Sequence, residues 1–278
     1  MAHLTKHEKA KVAVGGAAIA LIILFAVGTS LYSFDFLHIW PVNEGRDTDP
    51  IEEPRNQTVK HAPNEVKGLS IDWMGDDISI VTGDVEQIEV TEEIGAGVSE
   101  AAAKPASISL AGNGTLSVSD TIPDGTDLGS LHTDGRKHLT VTLPAGAKVA
   151  LDSVTVDGVY SAFNMRGAAT KSLSMDGIGG DVEIDGEVRD RLSIDGILGN
   201  LAFKLTGDAP REIQLDGMLG DIEVSLPEGS GFTADVDGLS ANFTSDLPLK
   251  RDGNIYRSGN GATEISVSGM TGNVHIAG

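Results

Sequence analysis

LSMDGIGGDVEI, from Leu173 to Ile184, decides how this chain folds. Apolar and polar residues alternate up to Asp176-Gly177, a short passage of small and apolar residues follows, and alternation resumes after Asp181. Such alternation sends Leu173, Met175, Val182 and Ile184 to one face and Ser174 and Glu183 to the other, as half-buried strands require. The segment therefore reads as strand, corner, strand. The same text recurs as VTVDGVYSAFNM from Val154, LSIDGILGNLAF from Leu192, IQLDGMLGDIEV from Ile213 and ADVDGLSANFTS from Ala234. A sixth copy, ISVSGMTGNVHI from Ile265, closes the chain. Self-similarity at a period of about twenty residues is the mark of a repeat architecture.

Because residue types align column by column, Leu173, Leu192, Ile213 and their equivalents are expected to stack as inward ladders at a spacing of ~4.8 Å. The expected fold is all-β, a single-stranded β-solenoid with rungs of about twenty residues, preceded by one N-terminal transmembrane α-helix. The rival is a meander of two-stranded hairpins, since Asp-Gly favours tight turns. Nearly constant spacing between copies favours coiling. Before the copies, LSIDWMGDDISIVTGDVEQIEVTEEI from Leu69 alternates in the same manner. The Gly-, Asp- and Thr-rich stretch between Ala111 and His138 reads as a long excursion.

Composition agrees with many short strands: among 278 residues there are 35 glycines and only 4% aromatics. A formal net charge of −21 repels nucleic-acid phosphates and favours cations or basic partners. With no cysteine, disulfides, thiolate nucleophiles and Cys-ligated zinc are excluded.

VAVGGAAIALIILFAVGTSLY, from Val12 to Tyr32, carries no charge and is long enough to cross ~30 Å of hydrocarbon as a helix. Lys6, Lys9 and Lys11 precede it, while Asp35, Glu44, Asp47 and Asp49 follow, which leaves the N-terminus in the cytoplasm and the rest outside. Tyr32, Phe34, Phe36 and Trp40 form an outer interfacial belt. A cleaved signal peptide shares the basic start and apolar run, but its length and the weak Val27-Gly28-Thr29 site favour an anchor. The expected layout is residues 1–11 in the cytoplasm, 12–33 in the bilayer, 34–66 as interfacial segment and proline-rich linker, and 67–278 as the repetitive domain.

Three blocks resemble the bacterial putative-adhesin family of domains of unknown function, LiaF- and YvlB-like envelope proteins among them. They are LSIDWMGDDISIVTGDVEQIEV from Leu69, LTVTLPAGAKVALDSVTVDGVYSAFN from Leu139 and GNGATEISVSGMTGNVHI from Gly259. The resemblance implies a membrane-tethered β-solenoid and a scaffold, adhesion or interaction role in the cell envelope, envelope-stress signalling included. This chain departs from the family's commoner Ser-Gly or Asn-Gly corner by using Asp-Gly repeatedly.

That departure raises the question of cations. Stacked copies would line up Asp157, Asp176, Asp195, Asp216 and Asp237 as a column of like charges, and calcium held between successive corners would relieve it. The plainer reading is solvated, turn-capping aspartates. At the second corner Asp181 and Asp221 alternate with Asn200, Asn242 and Asn273, which halves the charge and needs no ion. His132, His138 and His275 sit at no zinc spacing and beside no nucleophile motif, so no enzyme is expected. A polysaccharide-active β-helix is the enzymatic alternative, and a calcium-binding surface adhesin the other. Finally, the strand Asn273, Val274, His275 and Ile276 ends the chain without a cap, so it is expected to dock a partner strand or drive self-association.

Overall fold

The computed structural model describes residues 49–100, 102–120, 136–145, 150–158, 161–237, 240–269 and 271–278. The expected anchor and its interfacial belt lie outside these residues. The described chain is all-β, with 19 strands and no helix. Its opening strands are β1 (Arg55–His61), β2 (Gly68–Trp73), β3 (Asp77–Gly83), β4 (Ile88–Ile94), β5 (Ser107–Leu110), β6 (Thr115–Ser119) and β7 (Lys137–Pro144). The Asp-Gly copies form β8 (Ala150–Gly158), β9 (Ala162–Asp176), β10 (Val182–Asp195), β11 (Leu201–Leu205), β12 (Glu212–Asp216), β13 (Ile222–Ser225), β14 (Phe232–Asp237) and β15 (Ser240–Ser245). A hairpin of β16 (Lys250–Asp252) and β17 (Ile255–Ser258) precedes β18 (Thr263–Ser268) and β19 (Thr271–Ala277).

The copies lie parallel and in register, with Val154 opposite Leu173, Leu173 opposite Leu192, and Leu192 opposite Ile213. The Asp-Gly corners therefore close no hairpins. They turn the chain between two ladders, and Gly177, Gly196 and Gly217 make the turn at positive φ. The first ladder runs β5, β6, β2, β8, β9, β10, β12, β18, β14, β17, β16, and the second β1, β4, β7, β3, β9, β10, β11, β13, β19, β15. The long β9 and β10 take part in both, and register shifts at Asp185/Glu187 and Val188/Arg191 let them bend from one to the other.

Between the ladders lies the core that alternation requires. Leu173, Leu192, Ile213 and Ile265 are buried on one side, and Val182, Leu201, Ile222 and Val274 on the other. Each contributes ~1.5–3 kcal/mol by leaving water, which is how a core forms with few aromatics.

Three expectations are corrected. The sixth copy is not the last rung: Ile265 lies between Ile213 and Ala234, and Val274 between Ile222 and Phe243. The inward residues of β18 and β19, Ile265, Val267, Val274 and Ile276, are all apolar and buried, which suits an interior rung better than the partly buried Phe243 and Ser245 that β15 places opposite Val274 and Ile276. The proline-rich linker does not reach residue 66, because β1 pairs antiparallel with β4 and Ile51 is buried. An edge strand needs no strong apolar run, and this one has only Val59. The excursion starts later than expected, since Leu116 and Val118 of β6 are core residues beside β2.

Candidate functional site

Stacking places Asp72, Asp157, Asp176, Asp195 and Asp216 directly opposite one another in successive strands. Ser268 follows and donates to Asp216 Oδ1 at 2.8 Å, so Asp237 is separated from the other four predicted corner residues by a neutral rung. Burial, and then the neighbouring carboxylates, raise the pKa of three members above the ordinary aspartate value of 3.8. For Asp72 the neighbours are Asp157 and Asp120, for Asp176 Asp157, and for Asp195 Asp216 and Asp176. Backbone N–H groups of Gly177 and Gly196 partly offset this at Asp176 and Asp195.

A folded-state pKa above the unfolded one means that folding is favoured by protonation. The stability so gained is complete below 3.8 and is lost as pH rises through the folded values. Asp195→Asn is therefore expected to stabilise the fold at pH 7, by less than about 1 kcal/mol because the group is exposed, and so to raise its melting temperature. That advantage should vanish as pH approaches 3.8. A pH-independent difference between the two melting curves would contradict it.

At the second corner the Asx residues form a hydrogen-bonded ladder in place of a charge column. Asn200 N–H donates to Asp181 Oδ1 at 2.8 Å, Asp221 N–H to Asn200 Oδ1 at 3.1 Å, and Asn273 N–H to Asp221 Oδ1 at 2.8 Å. Asn242 Nδ2 extends it to Asn273 Oδ1 at 3.2 Å. The side chains of Asp181, Asn200 and Asp221 thus each satisfy a backbone N–H of the next rung, and the last contact joins two side chains. Among the described residues no three His, Cys, Asp or Glu side chains converge as a metal-holding group; the predicted calcium column is a line with one carboxylate per rung.

The predicted open strand at Asn273, Val274, His275 and Ile276 is closed on both sides, by β13 and by β15. Its backbone is therefore unavailable to a partner. Of the histidines, His138 pairs with Asp77 at 2.9 Å and His275 meets Thr244 Oγ1 at 3.0 Å, both on the surface, while His132 lies outside the described residues.

Two sites went unnoticed in the sequence. The first is a buried ionic cluster. Glu92 is 1% and Lys137 2% exposed. Lys137 Nζ donates to Asp120 Oδ1, lies 3.6 Å from Glu92 Oε1 and sits 4.9 Å from the centroid of the Trp73 ring. Glu92 also accepts from Gln57 Nε2 at 2.6 Å and from Ala106 N–H at 3.0 Å. The inward position of Glu92 in the alternation of IEVTEEI was the available signal.

The second is a cleft of about 560 Å³ beside β15, lined by Asn242, Phe243, Thr244, Arg251, Tyr256 and Asn273. Phe243 and Tyr256 stack at 4.4 Å, and the Arg251 guanidinium lies 5.1 Å from the Tyr256 ring centroid. The aromatic residues are distant in sequence, so no motif announces them.

Neither a protein-family model nor a curated protein sequence matches this chain. Solved structures do. A putative cell adhesion protein from Clostridium sporogenes has 14% identity and a TM-score of 0.52, covering 81% of this chain and 99% of its own. A putative adhesin from Bacteroides fragilis is 11% identical with a TM-score of 0.43, covering 80% and 97%. A putative lipid binding protein from Parabacteroides distasonis is 12% identical with a TM-score of 0.36, covering 80% and 96%. The first of these shares the fold with this chain, and at such identity the likeness speaks of fold alone.

Proposed function

We propose that this protein is a membrane-anchored, extracytoplasmic β-solenoid that serves as an adhesion or interaction module of the bacterial cell envelope. A LiaF-like part in envelope-stress signalling belongs to the same reading. The observation that carries it is the solvent side of the second ladder. There Asn164, Glu183, Ala202, Glu223, His275 and Thr244 follow one another in adjacent strands as one continuous column. Two shallow clefts of about 410 and 550 Å³ open along it, lined by Asp181, Glu183, Asp221 and Glu223 among others. A rigid, flat and acidic surface suits recognition of a basic partner better than the enclosure of a reacting substrate. The uncharged run from Val12 to Tyr32, with lysines before it and acids after it, supports the anchor and its orientation.

The absence of native cysteine makes a clean test. In intact cells a membrane-impermeant maleimide should label Glu223→Cys and reach Lys6→Cys only after lysis; the opposite pattern would overturn the topology. Glu183→Lys combined with Glu223→Lys should reduce adhesion of cells carrying the protein about tenfold, and unchanged adhesion would refute the role of this face.

A further inference from the structure

Four strands form the outer edges of the two ladders among the described residues, and three of them are guarded. In β1, Arg55 and Lys60 are held in ion pairs with Glu100 and Glu89. Strand β16 is three charged residues long, and β5 only four residues. The fourth, β15, reads SANFTS, with no charge and no proline, the means by which edge strands usually avoid further pairing. Among the described residues it pairs with β19 alone. The N–H of Asp246 donates to Ile276 O at 3.1 Å, which fixes the alternation: the even residues of β15 face β19. The N–H and C=O groups of Phe243 and Ser245 consequently point away from the ladder.

The cleft lies at this edge, and its lining differs from the acidic column. It holds no carboxylate and one cation. Arg251 Nε donates to Gly253 O at 3.0 Å, and the guanidinium packs over Tyr256, so the side chain is oriented from two directions. No carboxylate pairs with it among the described residues, whereas Arg166, Lys171, Arg189 and Lys204 all have one. An oriented guanidinium with a free fork is a carboxylate receptor.

We propose that the open edge of β15 takes up an extended acidic peptide as an added strand, with one of its carboxylates on Arg251. Backbone bonds to Phe243 and Ser245 supply the pairing, and the fork selects the acidic side chain. An acidic occupant is favoured because the cation is unpaired on a chain of net charge −21. This assigns a second site, which adjoins the acidic face at Thr244 but is centred on the edge of β15 and Arg251, and it does not depend on what that face binds.

The test titrates the full-length chain in detergent with a capped, fluorescently labelled peptide that alternates threonine and valine around one central glutamate. Saturable binding is expected. Replacing the glutamate by glutamine, or Arg251→Gln in the protein, should each weaken it about tenfold, and the two changes together should cost no more than either alone. Ser245→Pro removes an outward N–H while leaving the backbone pairing to β19, at the cost of the hydroxyl's bonds to Ile276 O and Leu247 N–H, and should abolish binding. Should that variant fail to fold, N-methylation of alternate peptide residues makes the same cut from the ligand side. Equal affinity for the glutamate and glutamine peptides, unimpaired binding of the N-methylated peptide, or no saturation would overturn the proposal. So would light scattering that shows a dimer dissolved by Ser245→Pro, which would give the edge to a second copy of the chain.

Discussion

Lys137→Met is expected to lower the stability of the fold by about 3–5 kcal/mol, the cost of leaving buried carboxylates without their cation. Lys137 stands between Glu92 and Asp120, with Trp73 beneath its ammonium group, and all of these are shielded from water. Methionine fills a similar volume, so the loss reports charge and not a cavity. Glu92→Gln keeps the bond from Gln57 or Ala106 in part and should cost less. In the double variant the remaining charge imbalance is smaller, so its loss should fall short of the sum of the two single losses. Urea unfolding followed by the β-sheet circular dichroism measures all three. A loss below about 1 kcal/mol for Lys137→Met would mean that the cluster is solvated in practice.

Gly220→Ala should be of comparable severity, about 3 kcal/mol or more, for a backbone reason. Gly220 has φ +145°, and a Cβ there would overlap the carbonyl oxygen of Gly199 in the neighbouring rung. Gly272 stands in the same relation to Gly220. The oxygen cannot retreat cheaply, because Leu219 N–H already ties this corner to Ile197 O at 2.9 Å. Gly253 is the control: it also has positive φ, +62°, but open space surrounds its Cβ position. Gly253→Ala should cost only the conformational part, about 1 kcal/mol. Equal melting temperatures for the two variants would refute the close approach of rungs at Gly220.

Much of this architecture was legible. The alternation in LSMDGIGGDVEI assigned Leu173, Met175, Val182 and Ile184 to the interior, and all four are buried. Column alignment predicted that Leu173, Leu192 and Ile213 would stand opposite one another, and they do. The Asx residues of the second corner were read as turn formers, and their oxygens hold the next rung's N–H groups. What was missed lies where pattern is weak. Strand β1 has little apolar character because an edge strand buries little, and Glu92 and Lys137 look like surface residues until their partners from distant strands surround them.

The sequence by itself determined which face of each strand is inside, where the corners fall, and that the copies stack in register, because alternation and period are local properties of the text. Only the tertiary structure decided the order of the stack. Every copy presents nearly the same apolar columns, so any two are acceptable neighbours, and local pattern cannot choose among them. Burial chose: β18 and β19, whose inward residues Ile265, Val267, Val274 and Ile276 are all apolar and buried, occupy an interior rung, and β15, whose inward Phe243 and Ser245 are only partly buried, is left at the rim. That exchange closed the strand at Asn273–Ile276 and opened the one at Ser240–Ser245.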